Sequence, residues 1–192
     1  MCLPNFPLPW AVGQPIIPPD LREKPRRPVI SKVGFTEHRM RVLELKVPPP
    51  VVALLIGAAM WFASPSGPSL ELSFLVRGIS AIVVAVLGGA VSFAGDLQFR
   101  RAKTTVNPLR PENASSLVTS GIYRFTRNPM YLGLLFVVVG WAVFLSSAWA
   151  LVGPVVFVLY IGRFQIAPEE RVLSAKFGAA YSNYISQVRR WL

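Results

Sequence analysis

Residues 121–133 hold the densest group of side chains that could bind a ligand. The group combines phenols with guanidinium groups: Tyr123, Arg124, Arg127 and Tyr131. Asn128 followed by Pro129 fits a helix N-cap and a first helical position, where proline is tolerated. The unpaired N–H groups of a helix start favour a carboxylate or phosphate. The stretch indicates a site for a small anionic or zwitterionic ligand; an ordinary interface belt of tyrosine and arginine is the alternative.

Glu169 and Glu170 form a second candidate, directly after Pro168. Proline in a first turn followed by acidic residues is typical of a helix start. A carboxylate here could accept hydrogen bonds from an ammonium group or a ribose hydroxyl. Charge complementation of the helix terminus is the alternative explanation. Either glutamate can meet the tyrosine-rich stretch only if the chain between them folds back as a hairpin.

The composition indicates what kind of molecule positions these residues. Of the 192 residues, 53% are hydrophobic and 15% are charged, whereas soluble domains carry about 25% charged residues. The formal net charge is +11, but the basic residues avoid the apolar runs and form no patch interleaved with aromatic residues. Nucleic-acid binding is therefore not expected, and the expected partner is a lipid bilayer.

Four apolar segments are each about as long as a membrane-spanning helix, which needs roughly 17–25 residues. They cover about 47–63, 70–94, 129–146 and 148–166. The last two are separated only near Ser146 and Ser147, which predicts a tight helical hairpin. The predicted fold class is all-α, an integral membrane bundle of about four transmembrane helices plus a C-terminal amphipathic cytoplasmic helix. That last helix follows from apolar positions at helical spacing: Leu173, Phe177, Tyr181, Tyr184 and Val188.

Lysine and arginine concentrate in 1–46, 95–128 and 163–192, and the connections near 64–69 and 145–148 contain none. Because positive loops stay in the cytoplasm, we expect a multi-pass protein with both termini cytoplasmic, in a bacterial inner membrane. Residues 1–46 are predicted to be a proline-rich basic tail with a short interfacial helix over 37–46. Residues 47–192 are predicted to be the transmembrane domain.

Three residues stand apart from these patterns: Arg77, Cys2 and His38. Arg77 lies inside the second apolar segment, where snorkelling to the interface is the preferred interpretation and a functional role the alternative. Cys2 is the only cysteine and His38 the only histidine. An internal disulfide is therefore excluded, and a metal site is not expected.

Two motifs resemble the isoprenylcysteine carboxyl methyltransferase family and the related phospholipid methyltransferases. The first is Gly-Ile-Tyr-x-x-x-Arg-Asn-Pro-Met-Tyr-x-Gly at 121–133. The second, after the predicted hairpin, is Glu-Glu-x-x-Leu-x-x-x-Phe-Gly-x-x-Tyr-x-x-Tyr at 169–184. The resemblance covers about 100–190. It implies transfer of a methyl group from S-adenosyl-L-methionine to a lipophilic small-molecule or prenylated acceptor that enters from the membrane.

The resemblance also implies which residues bind the cofactor: Ser115, Ser116, Leu117, Val118, Tyr123, Asn128, Pro129, Met130, Tyr131, and Glu169 or Glu170. It implies Arg163 as a substrate-side residue, and no catalytic residue is assigned. The family has histidine where this chain has Asn128. Asparagine can donate and accept hydrogen bonds but cannot take a proton, so a binding role survives and a role as a base does not.

Four functions are compatible with these residues. Methyl transfer to a carboxylate acceptor of the isoprenylcysteine type is the favoured function. A carboxylate needs no general base, and the site has few acidic residues and no histidine. Methyl transfer to a phospholipid amine is the second, although an amine must be neutral to react. The third is a nicotinamide-dependent membrane reductase of the sterol-reductase type, and the fourth is a non-catalytic membrane scaffold.

Overall fold

The computed structural model describes residues 44–102 and 111–192. Five helices occur in these ranges: α1 Pro49–Ala63, α2 Phe74–Arg101, α3 Pro129–Leu145, α4 Val152–Ile161 and α5 Ala167–Gln187. Short 3₁₀ helices cover Ser64–Ser66, Pro111–Asn113, Gly121–Arg124 and Ala148–Leu151, and a π-helix covers Gly162–Ile166. The described ranges contain no β-strand, so the prediction of an all-α fold is confirmed.

Several of these helices are long and apolar enough to cross a membrane. Three helical stretches qualify by length and composition: Pro49–Ser66, Phe74–Arg101 and Ala148–Gln187. The fourth predicted span is the 17-residue α3, at the short end of the roughly 17–25 residues that a bilayer needs. The multi-pass bundle is therefore confirmed. The predicted tail lies outside the described residues except for 44–46, and the predicted helix over 37–46 lies mostly outside them.

α2 differs from its predicted bounds at both ends. It begins at Phe74 because the Ser73 Oγ caps it, accepting from the Val76 N–H at 3.4 Å. At the other end it continues past the apolar segment to Arg101. An ion pair one helical turn apart, Asp96 to Arg100 at 2.6 Å, favours this extension.

The turn between α3 and α4 confirms the predicted hairpin. Ser146 adopts the left-handed conformation, with φ 50°. Its Oγ donates to the Leu70 carbonyl at 2.6 Å, and the Ser147 Oγ donates to the Ser64 carbonyl at 3.0 Å. These bonds fasten the hairpin turn to the connection between α1 and α2, so all four spans are tied together at this end.

Glycine allows α2 and α3 to pack in direct backbone contact. A Cβ on Gly88 would lie 2.5 Å from the Gly133 carbonyl oxygen, and a Cβ on Gly133 would lie 2.4 Å from that of Gly88. Gly140 faces the Ala81 carbonyl in the same interface. Such close approach through small residues drives helix association in membranes, and it fixes where the start of α3 lies relative to α2.

α4, the π-helix and α5 form one continuous helical stretch. Gly178 interrupts α5 with φ 50° and ψ −123°. Beyond this kink Tyr181 and Tyr184 are buried, and the Tyr184 hydroxyl donates to the Tyr123 carbonyl at 2.8 Å. The Lys176 ammonium donates to the Glu112 carbonyl at 2.6 Å. The amphipathic helix therefore packs on the loop that precedes α3.

Candidate functional site

A cavity of about 360 Å³ lies where α3 and α5 begin, within the size range of small-molecule sites. The loop before α3, the end of α2 and the first residues of α1 complete its wall. Its lining residues are Pro49, Pro50, Phe99, Ala114, Ser116, Leu117, Val118, Tyr123, Arg127, Asn128, Pro129, Met130, Tyr131, Leu134, Glu169, Glu170, Leu173, Tyr181 and Tyr184.

Tyr131 and Glu169 meet across this cavity. The Tyr131 hydroxyl, in the first turn of α3, donates a hydrogen bond to the Glu169 carboxyl oxygen Oε1 in the first turn of α5. Glu169 lies three residues beyond the fourth span. Burial raises the pKa of its carboxyl to about 8, and the neighbouring charge of Glu170 acts in the same direction. The two sequence motifs therefore come together at one end of the bundle, as the hairpin predicted.

Glu170 has different partners from Glu169. Its carboxylate pairs with Arg127 at 3.2 Å and accepts from the Arg190 Nε at 3.1 Å. These partners hold Glu170 against the loop before α3, whereas Glu169 is bonded to a neutral phenol. Both glutamates line the cavity, and within the described part of the chain only Glu170 of the two forms an ion pair.

Tyr123 is held by the 3₁₀ helix Gly121–Arg124, which starts with Gly121 at φ 60°. A Cβ at that position would lie 2.3 Å from the Gln98 side chain. The Tyr123 ring packs edge-on against Phe99 at 5.3 Å between centroids. Burial raises the pKa of the phenol above its ordinary value. Tyr123 is therefore a neutral hydrogen-bond donor on an aromatic wall.

Asn128 occupies the predicted N-cap position of α3, but its side chain makes no capping bond. Its Nδ2 donates instead to the Arg190 carbonyl at 2.9 Å. The backbone N–H of Asn128 donates to the Thr126 Oγ1 at 3.2 Å. That hydroxyl therefore stabilises the loop before the helix. The predicted helix start at Asn128-Pro129 is confirmed, although the Asn128 amide bonds the C-terminal segment and not the helix.

The C-terminal segment after α5 was not predicted as part of the site. The Arg127 N–H donates to the Arg189 carbonyl at 3.0 Å, and Trp191 packs against the hydrophobic core. These bonds use backbone carbonyls, which leave no trace in residue type or hydropathy. Only the aromatic Trp191, which follows Arg189 and Arg190, could have drawn attention to this segment.

Most of the predicted cofactor-binding residues line the cavity, and two predicted site residues do not. The cavity brings together Ser116, Leu117, Val118, Tyr123, Asn128, Pro129, Met130, Tyr131, Glu169 and Glu170. Ser115 is exposed outside its lining. Arg163 lies in the π-helix, where it pairs with Glu44 at 2.9 Å. The roles assigned to these residues by resemblance stay predictions. Phe99, Ala114, Leu134 and Leu173 line the cavity and were not predicted.

Two polar atoms of the lining are buried and have no hydrogen-bond partner among the residues that the structure describes: the Ser116 Oγ and the Arg127 Nε. Buried polar groups are nearly always satisfied in folded proteins, and exceptions call for an explanation. Both atoms are donors on the wall of a cavity. A bound ligand with hydroxyl or carboxylate oxygens would supply the missing acceptors.

A second, larger cavity opens between α1 and α2, with α3 as its floor. This apolar groove encloses about 1060 Å³ and is lined almost entirely by hydrocarbon and aromatic groups. Pro50 and Leu134 line both this groove and the first cavity. The two spaces therefore adjoin.

The fold and site define a class: a helical membrane protein with a cavity at one end of its spans that adjoins an apolar groove. The model of the family described as phospholipid methyltransferase matches residues 76–180. The match spans more than half of the chain, and the chain belongs to this family. The resemblance seen in the two motifs is thereby confirmed.

Relatives in plants carry the name of the other resembling family. The protein-S-isoprenylcysteine O-methyltransferase A of Arabidopsis thaliana is 31% identical over 124 residues, 63% of this chain and 61% of that protein. A probable protein-S-isoprenylcysteine O-methyltransferase of Oryza sativa subsp. indica is 31% identical over 128 residues, 65% of each chain. The chain thus spans somewhat less than two thirds of the plant relatives.

A shorter bacterial relative is matched along its whole length. An uncharacterized protein of Haemophilus influenzae is 46% identical over 63 residues, which are 33% of this chain and 100% of that protein. No solved structure matches the chain significantly.

Proposed function

We propose that this chain transfers a methyl group from S-adenosyl-L-methionine to a lipophilic acceptor, most favourably a carboxylate of the isoprenylcysteine type. One observation carries the proposal. The cavity that joins Tyr131 to Glu169 holds unsatisfied donors and adjoins an apolar groove between the membrane-spanning helices. A polar cofactor and a lipophilic acceptor could therefore meet there.

The residues of the cavity fit the parts of this cofactor. The Arg127 Nε and the Ser116 Oγ are unpartnered donors that suit a carboxylate. Glu169 suits the cofactor's ammonium group or its ribose hydroxyls. The aromatic wall of Tyr123 and Phe99 suits a purine ring, since aromatic side chains stack on bases.

When bound, the cofactor supplies an electrophilic methyl carbon. The protein's part is to hold the acceptor oxygen in line with that carbon and to exclude water. A carboxylate acceptor needs no proton removed, which agrees with asparagine at position 128. Pro50 and Leu134, at the junction of groove and cavity, are placed to guide the acceptor's head towards the site while its tail stays in lipid.

A phospholipid amine is the second candidate acceptor, and Glu169 is the observation that favours it. An amine must lose a proton before it attacks, and the pKa of Glu169, raised by burial to about 8, suits a group that takes up a proton near neutral pH. The family match is also to phospholipid methyltransferases. The two acceptors therefore differ in whether Glu169 takes part in the reaction.

Calorimetry on the purified full chain, in detergent and in lipid, tests cofactor binding. We expect S-adenosyl-L-methionine to bind, and we expect Tyr131→Phe and Glu169→Gln to weaken it about tenfold or more, as expected for losing a hydrogen bond to a charged group. Glu71→Gln changes an exposed glutamate at the opposite end of the bundle. This control variant should bind the cofactor as the parent does. No binding in either medium would refute the proposal, and preference for a nicotinamide dinucleotide would favour a reductase.

Radiolabelled cofactor then identifies the acceptor. We expect label to enter a farnesylated cysteine derivative in preference to phosphatidylethanolamine. In Glu169→Gln, measured at saturating cofactor, transfer to the carboxylate should persist and transfer to the amine should fall. The absence of any labelled lipid or prenylated product would favour a non-catalytic scaffold.

A further inference from the structure

Arg77 is a charged side chain in an unusual position. It lies one turn into α2, at the end of that helix opposite to Phe99 and the ligand cavity. Among the described residues, α1, α3 and α4 contain no charged side chain, and the other charges of α2 lie in its last two turns. Charged residues within spans are rare and mark pairing or function.

The contacts of Arg77 leave part of its guanidinium unsatisfied. The group lies 5.2 Å from the Phe74 ring centroid and 5.9 Å from that of Phe144. Its Nε is buried, and within the described ranges it has no hydrogen-bond partner and Arg77 takes part in no ion pair. Snorkelling by itself does not supply an acceptor for this Nε.

The surface beside Arg77 is the far end of the apolar groove. Phe74, Gly78 and Phe144 line it there. Ring stacking continues along the groove from Phe144 to Trp141 at 5.4 Å and from Trp141 to Trp61 at 5.9 Å. A cation therefore stands at the end of a long aromatic-walled groove, which complements a molecule with an anionic head and a hydrocarbon chain.

We propose that Arg77 and the adjoining end of the groove bind an anionic phospholipid from the membrane face opposite to the ligand cavity. The phosphate oxygens accept from the guanidinium, whose planar fork suits phosphate, and satisfy the buried Nε. One acyl chain lies along Phe74, Phe144 and Trp141. The acceptor's tail enters the groove at its other end, beside Pro50 and Leu134, so this lipid site does not depend on the methyl-transfer proposal.

Native mass spectrometry of the full chain in mild detergent tests the head-group contact. The probes are dioleoylphosphatidylglycerol and dioleoylphosphatidylcholine. We expect one phosphatidylglycerol to be retained by the parent and by Arg100→Gln, a control at the exposed opposite end of α2. Arg77→Gln should retain it about tenfold less, as expected for a lost charge-assisted bond, and Arg77→Lys should restore part of the binding.

A second pair of variants tests the chain contact while Arg77 is left intact. A Cβ added at Gly78 or at Gly89 would meet no atom of the described residues within 4 Å. Of these two glycines, Gly78 lines the groove. We expect Gly78→Leu to lose the phosphatidylglycerol and Gly89→Leu to keep it. Equal retention of phosphatidylcholine, equal effects of Arg77→Gln and Arg100→Gln, or equal behaviour of the two leucine variants would each overturn the proposal.

Discussion

Glu169 shows how a single side chain can couple ligand binding to pH. Burial raises the pKa of its carboxyl from an ordinary value of 4.5 to about 8. The folded protein therefore holds this proton at neutral pH, whereas the unfolded chain has released it. The folded state binds more protons than the unfolded state between these two values, so this group's contribution to stability falls as pH rises from 4.5 to about 8.

The same carboxyl should make cofactor binding depend on pH. If the cationic cofactor pairs with ionised Glu169, binding releases a proton, and affinity should rise with pH until about pH 8. Below that pH the rise should be about tenfold per pH unit, which is the effect of one titrating group. Calorimetry in two buffers of different ionisation enthalpy measures both the affinity and the released proton.

Glu169→Gln is the variant that isolates this effect. It keeps the shape of the side chain and removes the titration, so its weaker binding should not change with pH. Glu71→Gln should keep the slope of the parent. A parent affinity that stays constant from about pH 6 to pH 8, a window set by the titrating carboxyl, would contradict the assigned role of Glu169.

At the scale of helices, substitutions at two neighbouring glycines distinguish the effect of helix packing from the effect of backbone conformation. A Cβ at Gly88 would lie 2.5 Å from the Gly133 carbonyl, whereas one at Gly89 would meet nothing within 4 Å. We expect Gly88→Ala to lower the free energy of unfolding by roughly 1–3 kcal/mol through overpacking. Gly89→Ala should be neutral or stabilising, since alanine favours helix. Thermal unfolding in detergent checks this; equal midpoints for both variants would mean that α2 and α3 do not pack as described.

The π-helix Gly162–Ile166 sets the rotation of α5 about its axis. A π turn holds one more residue than an α turn. Inserting one alanine between Ile166 and Ala167, directly after the π turn, should turn α5 by about 100° relative to α4, the rotation of one residue. Glu169 would then leave the cavity, and cofactor binding should be lost while the spans stay folded.

Gly162→Ala is the control of unchanged length, and its Cβ would meet nothing within 4 Å. It should bind cofactor as the parent does. Size-exclusion chromatography and circular dichroism establish that both variants are folded. Retained binding in the insertion variant would show that the rotation of α5 does not position Glu169.

The elements that the sequence predicted well are those set by local composition. Apolar length marks a span wherever it occurs, and the Asn128-Pro129 pair marks the start of α3. The rest depends on tertiary contacts. The Asn128 amide bonds the backbone carbonyl of Arg190, which is distant in the sequence. No change in the spacing of apolar residues marks the π turn. Phe99 lies in the cavity wall only because α2 continues beyond its apolar segment.

At the scale of the whole molecule, charge is distributed unequally between the two ends of the bundle. The end with the cavity carries Arg100, Arg101, Arg124 and Arg127, together with the basic residues of α5 and of the C-terminal segment. The connection Ser64–Ser73 and the hairpin turn at Ser146 carry no lysine or arginine. Because basic loops are retained in the cytoplasm, the cavity should open on the cytoplasmic side, where S-adenosyl-L-methionine would be supplied.

Cysteine labelling in intact bacterial cells tests this orientation. Cys2→Ser removes the only native cysteine, and Ser66→Cys and Ser186→Cys then place single thiols at exposed positions on opposite ends of the bundle. A membrane-impermeant maleimide should label Ser66→Cys directly and Ser186→Cys only after permeabilisation. The reverse pattern would place the cavity outside the cytoplasm, away from a cytoplasmic cofactor, and would count against the proposed reaction as well as the orientation. Labelling of both thiols in intact cells would indicate dual insertion, which the strong charge asymmetry argues against.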